Sequence, residues 1–521
     1  MEKVELFAGG LLAIVLLVPL ARRIGVPAPA VLVVGGVGIG TLPFAPDVRL
    51  DPELIFLAFL PPILYPAAFR YAGEDLRGHT GAIGLLAVGL VAVTIGAVAV
   101  VAHLAGLPWG AGFVLGAVLA PTDPVAAVAV LRRVGAPERV VVILEGESLV
   151  NDGLALTAFR LAVAAAGAGT LAVGHAALQL VGVVAGGVAI GWLTGWLVVQ
   201  LRRRLDFGEV EITVSLLAAY ATFAVAEQIG VSGILATVVA GYMAGRHASR
   251  VATPETRIKS QSFWDTLSFL AESALFLLIG LRFPDVVRAL EGRSIGEVIA
   301  LTLAVTATLV IVRAAWVFGF TRLVTPIDAE VGELSRREQL VLAASGMRGA
   351  VSAAAALAVP LTAAGGGDFP ERDVLLIVTF GAVLLTLVVP AVTLEHLLRA
   401  LGLHGDEAAR QRTARARVDM AEAAIRRADE LAGSDGVPES LLQRAREAYE
   451  FRISRLSHAL GGHADPPQDA KAAKAYKRLR HKLVEAERAK LEELRESGDV
   501  AGEVARDLER GLDLEDARYR Q

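Results

Sequence analysis

Residues 109–131 read WGAGFVLGAVLAPTDPVAAVAVL. The run is apolar on both sides of Pro121-Thr122-Asp123-Pro124, and together the two sides are long enough to cross a bilayer, which takes about 20 such residues. Two prolines bracket Thr122 and Asp123, and each removes a backbone N–H from the helical ladder. An unwound turn here frees carbonyl oxygens and leaves one carboxylate at mid-membrane depth, where ionisable groups are costly and mark functional positions. Hard cations such as Na⁺ want such a set of oxygens. Helices broken near the midplane are a standard way of holding an ion there. The plainer alternative is a kinked helix whose Asp bonds a neighbour, but an Asp at this depth needs a reason.

The rest of the chain fits a membrane setting. Of 521 residues, 54% are hydrophobic, and the mean hydropathy is +0.56, well above that of a soluble domain. Residues 401–521 hold 47 of the 104 charged side chains. An apolar body, residues 1–400, is therefore followed by a charged tail, residues 401–521. A net charge of −4 argues against a nucleic-acid partner. The absence of cysteine excludes disulfides and zinc–thiolate sites. The first apolar run begins near Val4 without a basic n-region or cleavage site, so it reads as a retained membrane helix.

Thirteen candidate spans follow, the second, third and ninth of them short or broken by Pro and Gly: 4–20, 27–44, 52–69, 80–106, 109–131, 140–166, 171–200, 210–229, 231–245, 263–281, 297–321, 338–364 and 374–398. Loops after odd-numbered spans carry 17 Lys and Arg, and loops after even-numbered spans carry 5. Positive loops stay in the cytoplasm, so the expectation is a multi-pass protein of the cell (inner) membrane with its N-terminus outside and its C-terminus cytoplasmic. Ile24-Gly25-Val26 recurs as Ile229-Gly230-Val231, and at the same offset Gly36 matches Gly241 and Gly40 matches Gly245. Seven spans separate the copies, so the sequence predicts inverted repeats, a hallmark of secondary transporters. In the tail, Asp419–Ala432, Pro438–Leu460 and Ala470–Glu496 read as helices, broken by Gly461-Gly462 and Pro466-Pro467. Their mixed charge reads as solvated faces. The fold class is an all-α membrane protein with two crossing discontinuous helices and a helical cytoplasmic tail.

The sixth span contains Glu145-Gly146-Glu147-Ser148-Leu149-Val150-Asn151-Asp152. Ser148 and Asp152 are four apart and share a helix face, so both can meet one ion. Glu147 and Asn151 share an adjacent face, toward a neighbouring helix. A buried, charged Glu147 needs a positive partner, and the reading assigns it Arg348, in Gly346-Met347-Arg348-Gly349-Ala350 of the twelfth span. That span is the counterpart of the fifth in an inverted repeat restarting at the eighth. A carboxylate withdrawn from water holds a proton near neutral pH, and it binds Na⁺ only when deprotonated. Competition of the two for one negative site produces exchange, with no ATP. No Lys-Ser/Thr phosphate loop points to a pump, and no cofactor is expected.

Thr122-Asp123-Pro124, Gly146-Glu147-Ser148 with Asn151-Asp152, and Gly346 to Ala350 around Arg348 together resemble the sodium/proton exchanger family, the electroneutral branch of the monovalent cation:proton antiporters. The resemblance covers about residues 4–400. It implies a homodimer in the lipid bilayer with a dimerisation side and a mobile six-helix core. It implies that Asp152 is the main ion and proton site, that Ser148, Asp123 and Thr122 are supporting Na⁺ ligands, and that Glu147 and Arg348 form a structural ion pair. Asn151, where other branches have a second Asp, implies exchange of one cation for one proton. Glu272, in Ala271-Glu272-Ser273, resembles a position linked to transport, with an interhelical hydrogen bond as the alternative. One departure is Leu60-Pro61-Pro62-Ile63-Leu64-Tyr65, which runs into Pro66 where several members have an acidic residue.

The leading function is Na⁺/H⁺ antiport, extending to Li⁺, not an enzymatic activity. The alternative within the class is a K⁺/H⁺ or broad monovalent-cation antiporter. Outside it stand an intramembrane aspartyl protease, for which Gly365-Gly366-Gly367-Asp368 is a formal signature, and a cation channel, which tends to line its pore with carbonyl filters or charged rings from several subunits. Arg160 and Arg313 lie inside predicted spans and either pair or snorkel. His103, His175 and His396 read as interfacial. Gly35 to Gly40 reads as close helix packing.

Overall fold

The computed structural model describes residues 2–43, 51–70, 72, 80–168, 173–205, 208–290, 293–324, 334–363, 367–403, 407–431 and 439–460, with a few positions between 486 and 493. Among these residues the structure is helical, and the one β pairing is an isolated bridge between Thr362 and Asp368. The chain divides into two compact units, Met1–Gly405 and Asp406–Gln521.

The first unit contains α1 (Glu2–Ile24), α2 (Ala28–Gly40), α3 (Pro52–Arg70), α4 (Thr80–Leu104), α5 (Trp109–Leu119), α6 (Val125–Val134), α7 (Glu138–Ala168) and α8 (Val173–Arg202). It continues with α9 (Gly208–Ile229), α10 (Gly233–Val251), α11 (Pro254–Arg288), α12 (Ile295–Val324), α13 (Arg336–Ala344), α14 (Ala350–Leu357) and α15 (Arg372–Ala400). Each of the thirteen expected spans falls on one helix or on one broken pair, α5/α6 or α13/α14. Among the described residues nine helices are long and apolar enough to cross a membrane, and α2 and α5 are shorter apolar helices. A count of thirteen crossings therefore rests on including the short and broken elements.

Two sets of helices pack internally: α4, α5, α7, α12 and α15 surround the breaks, and α1, α2, α3, α8, α9, α10 and α11 form the other set. In the second set, a methyl group added at Gly36 or Gly40 of α2 would strike the backbone of α11 at Leu277 and Leu281. A methyl group at Gly241 or Gly245 of α10 would strike the backbone of α3 at Tyr65 and Phe69. The repeat seen in sequence thus returns as a contact. The second span packs on the tenth as the ninth packs on the third, which is what a twofold relation between the copies requires.

Helix α3 stays helical despite Pro61, Pro62 and Pro66. Each proline strips a carbonyl four residues back of its N–H. Tyr220 Oη donates to Ala58 O, the acceptor left by Pro62, at 3.3 Å, and Ser268 Oγ donates to Pro62 O, the acceptor left by Pro66, at 2.7 Å. Neighbouring helices thus restore two of the bonds the prolines remove, as a membrane interior demands.

The second unit contains α16 (Glu407–Leu431) and α17 (Glu439–Leu460), which pack on each other with Ala421 and Leu442 buried and Asp429 paired with Arg446. The breaks at Gly461-Gly462 and Pro466-Pro467 and nearly all of the expected helix Ala470–Glu496 lie outside the described residues, as do Gly365 and Gly366.

Candidate ion-binding site

Helix α5 stops at Leu119 and α6 starts at Val125, while α13 stops at Ala344 and α14 starts at Ala350. The two gaps cross backbone to backbone: Asp123 N–H donates to Met347 O at 2.9 Å. In a continuous helix that N–H would serve Leu119 O. Leu119 O instead accepts from Arg348 Nε at 2.9 Å, and Arg348 Nη1 donates to Gly346 O at 2.7 Å. One buried guanidinium thus serves a carbonyl from each break, meeting the requirement that buried backbone groups be paired.

Asp123 sits where the breaks meet. Its Oδ1 accepts from Val125 N–H at 3.0 Å, and its carboxylate lies against Gly349, immediately before Ala350. These are the first residues of α6 and α14, so the carboxylate faces two half-helix N-termini, whose dipoles favour negative charge. The approach depends on Gly349, because a Cβ there would overlap the Asp123 carboxylate.

From α7, Ser148 Oγ donates to Thr122 O at 2.7 Å and Asn151 Nδ2 donates to Thr122 Oγ1 at 3.0 Å. Asp152 is 7% exposed. Its carboxylate lies in the field of Asp123 and Glu147, and Asp152 Oδ1 and Asn151 Oδ1 are buried without a hydrogen-bond partner. Thr122, Asp123, Ser148, Asn151 and Asp152 therefore converge on one place. Asn151 differs from expectation in direction, since it reaches the break itself. Glu272, partly buried on α11, interacts electrostatically with Asp123 and with Arg70.

The pairing of Glu147 with Arg348 is overturned. Glu147, 1% exposed, accepts from Arg313 Nη1 at 2.6 Å and from Nη2 at 3.1 Å, a bidentate pair between α7 and α12. Arg313 Nε adds a bond to Leu342 O at 3.2 Å. Arg348 is committed to carbonyls, while Arg313 presents the planar fork that a carboxylate matches. The signal for Arg313 in the sequence was its presence inside an apolar span.

The family model for the transmembrane sodium/hydrogen exchanger matches residues 11–400. The chain belongs to the sodium/hydrogen exchanger family. Among curated exchangers it is similar to the Na⁺/H⁺ antiporter ApNhaP of Aphanothece halophytica, 35% identical over 74% of this chain and 72% of that protein. It is also similar to a sodium, potassium, lithium and rubidium/H⁺ antiporter of Bacillus pumilus, 32% identical over 71% of this chain and 58% of that protein. Its fold matches the solved sodium proton antiporter MjNhaP1 of Methanocaldococcus jannaschii with a TM-score of 0.62 and 21% identity, over 77% of this chain and 100% of that one.

In this exchanger α7 is held differently at its two ends. Its N-terminal half bonds to its own helix set through Glu145–Arg132 at 2.7 Å, Glu147–Arg313 and Ser148–Thr122. Its C-terminal half bonds to the other set. Thr157 Oγ1 meets Ser232 Oγ of α10's N-cap at 3.0 Å, Arg160 pairs with Glu227 of α9, and Arg160 lies over the rings of Phe56 and Phe223. Asp368, the candidate second acid of a protease, is exposed in the bridge with Thr362 and lies outside any helix.

Proposed function

We propose that the chain exchanges Na⁺ for H⁺, one for one, at Asp152. The observation that supports this most is the contrast between the two carboxylates at the crossing. Asp123 lies against two helix N-termini, whereas Asp152 keeps a buried oxygen with no hydrogen-bond partner and, among the described residues, no basic side chain paired with it. A buried anion in that condition takes up a positive charge, and either a proton or Na⁺ supplies one. Thr122, Ser148, Asn151 and Asp123 provide the surrounding oxygens, and Asn151 Oδ1 is buried there without a hydrogen-bond partner. One carboxylate titrated by one monovalent ion carries no net charge across, so the exchange is electroneutral. Glu272 serves as an acidic station that attracts the cation toward Asp123.

In this reading residues 1–400 carry transport in the cell membrane. The N-terminus lies outside, and residues 401–521 form a cytoplasmic tail, supported by the excess of Lys and Arg in alternate loops. The functional unit is a homodimer, by family resemblance, and no cofactor takes part. The broad cation range named for the Bacillus relative favours K⁺ as a second substrate. Reconstituted vesicles test all of this at once. Pulses of Na⁺ and Li⁺ should dissipate an imposed proton gradient at a rate indifferent to membrane potential. A current that flows without proton movement would sink antiport in favour of a channel, and an equal response to K⁺ would broaden the substrate.

A further inference from the structure

Among the described residues, five buried side-chain atoms lack a hydrogen-bond partner: Tyr65 Oη, Arg202 Nε, Asn151 Oδ1, Asp152 Oδ1 and Ser352 Oγ. Two of the three on the broken-helix side belong to the site already described. Ser352 does not. It is 0% exposed and is the one polar residue of α14, whose sequence is AVSAAAAL and whose residues are all buried. A buried hydroxyl left unpaired costs about 1–3 kcal/mol, so this one calls for a partner beyond its own helix.

The helix register shows where that partner lies. Ser352 is the third residue of α14, one turn beyond the N-cap Gly349. Gly349 abuts the Asp123 carboxylate, so the first turn of α14 starts against it. Helical side chains lean toward the N-terminus, so Ser352 leans toward the crossing. Helix α14 also packs against α7, which carries Asn151 and Asp152. We propose that Ser352 Oγ is a ligand of the transported cation, contributed by the second broken helix, so that both breaks and α7 each place an oxygen on the ion. This rests on the antiport reading and adds a residue to it.

A hydroxyl ligates Na⁺ through a lone pair while its proton is donated to a carboxylate, which suits a cation held beside Asp123 and Asp152. Removing it should weaken cation binding and leave the proton step in place. In reconstituted vesicles Ser352→Ala is expected to raise the apparent KM for Na⁺ about five- to tenfold with the maximal rate retained and the Na⁺ to K⁺ preference reduced. Ser352→Cys provides a readout independent of transport, because the chain has no cysteine of its own. Na⁺ should slow the reaction of the introduced thiol with methyl methanethiosulfonate, and choline should not. A KM in Ser352→Ala equal to that of the unmodified protein overturns the assignment. So does a raised KM with a thiol that ignores Na⁺ or never reacts, because the serine would then act only through packing. Absence of Na⁺-driven proton movement in the unmodified protein is a separate result, which would sink the antiport reading itself.

Discussion

The two breaks that cross at the site stand at repeat-related positions, yet they are opened by opposite means. Residues 120–124 are opened by Pro121 and Pro124 and carry Asp123. Residues 345–349 are opened around Gly346 and Gly349 and carry Arg348. The first break presents oxygens and negative charge to the site. The second sends its positive charge back into the first, where Arg348 occupies Leu119 O. Proline removes donors and so leaves carbonyls free, whereas glycine lets another backbone or a carboxylate come close. The repeat thus conserves geometry and divides the charge: one copy brings a carboxylate to the crossing, and the other turns its guanidinium back to hold that break open.

That division can be broken at graded cost. Asp152→Asn removes the proposed ion and proton site, and we expect exchange to vanish while the purified protein keeps its helical content and monodisperse elution. A transporting Asp152→Asn protein would mean the binding break acts without it. Arg313→Ala strands Glu147 in the interior, at about 3–5 kcal/mol for a broken buried pair. The thermal midpoint in detergent should fall steeply and recover in part when Glu147→Ala is added. Arg348→Ala should cost less, about 2–3 kcal/mol, because it strands carbonyls instead of a charge. Glu147→Ala should not rescue it, and rescue would return the ion pair to Arg348. Gly349→Ala places a methyl group on the Asp123 carboxylate, an overpacking of roughly 1–3 kcal/mol that transport should register more than stability. Ser148→Ala removes one surrounding oxygen together with its bond to Thr122 O, the bond worth about 1 kcal/mol, and should appear as a raised KM for Na⁺.

Much of this was legible in the chain. The Pro-Thr-Asp-Pro insertion and the Gly-Met-Arg-Gly segment each disturb a local pattern, so both breaks can be read from a window of a few residues. Ser148 and Asp152 follow from helical spacing alone. The partner of Glu147 did not follow. Periodicity places Glu147 on a face but does not say which of three intramembrane arginines, Arg160, Arg313 or Arg348, arrives there from another helix. The choice turned on what else each arginine had to satisfy. Arg348 is drawn to carbonyls that only the crossing frees, and Arg160 is drawn to Glu227 and two aromatic rings. The prolines of α3 misled in the milder sense that they looked like a break. Ser268 and Tyr220, more than 150 residues away, repair them.

The bond between Asp123 N–H and Met347 O has a consequence for how such a molecule could be divided. Cut between α7 and α8, the first fragment would keep both proposed acidic ligands, Asp123 and Asp152, and would still lose the carbonyl that pins Asp123 and the guanidinium that tends Leu119. The other fragment would own those two groups and nothing for them to hold. Neither piece would show cation binding alone, and function should return only when both are made together, so ownership of the ion belongs to the join.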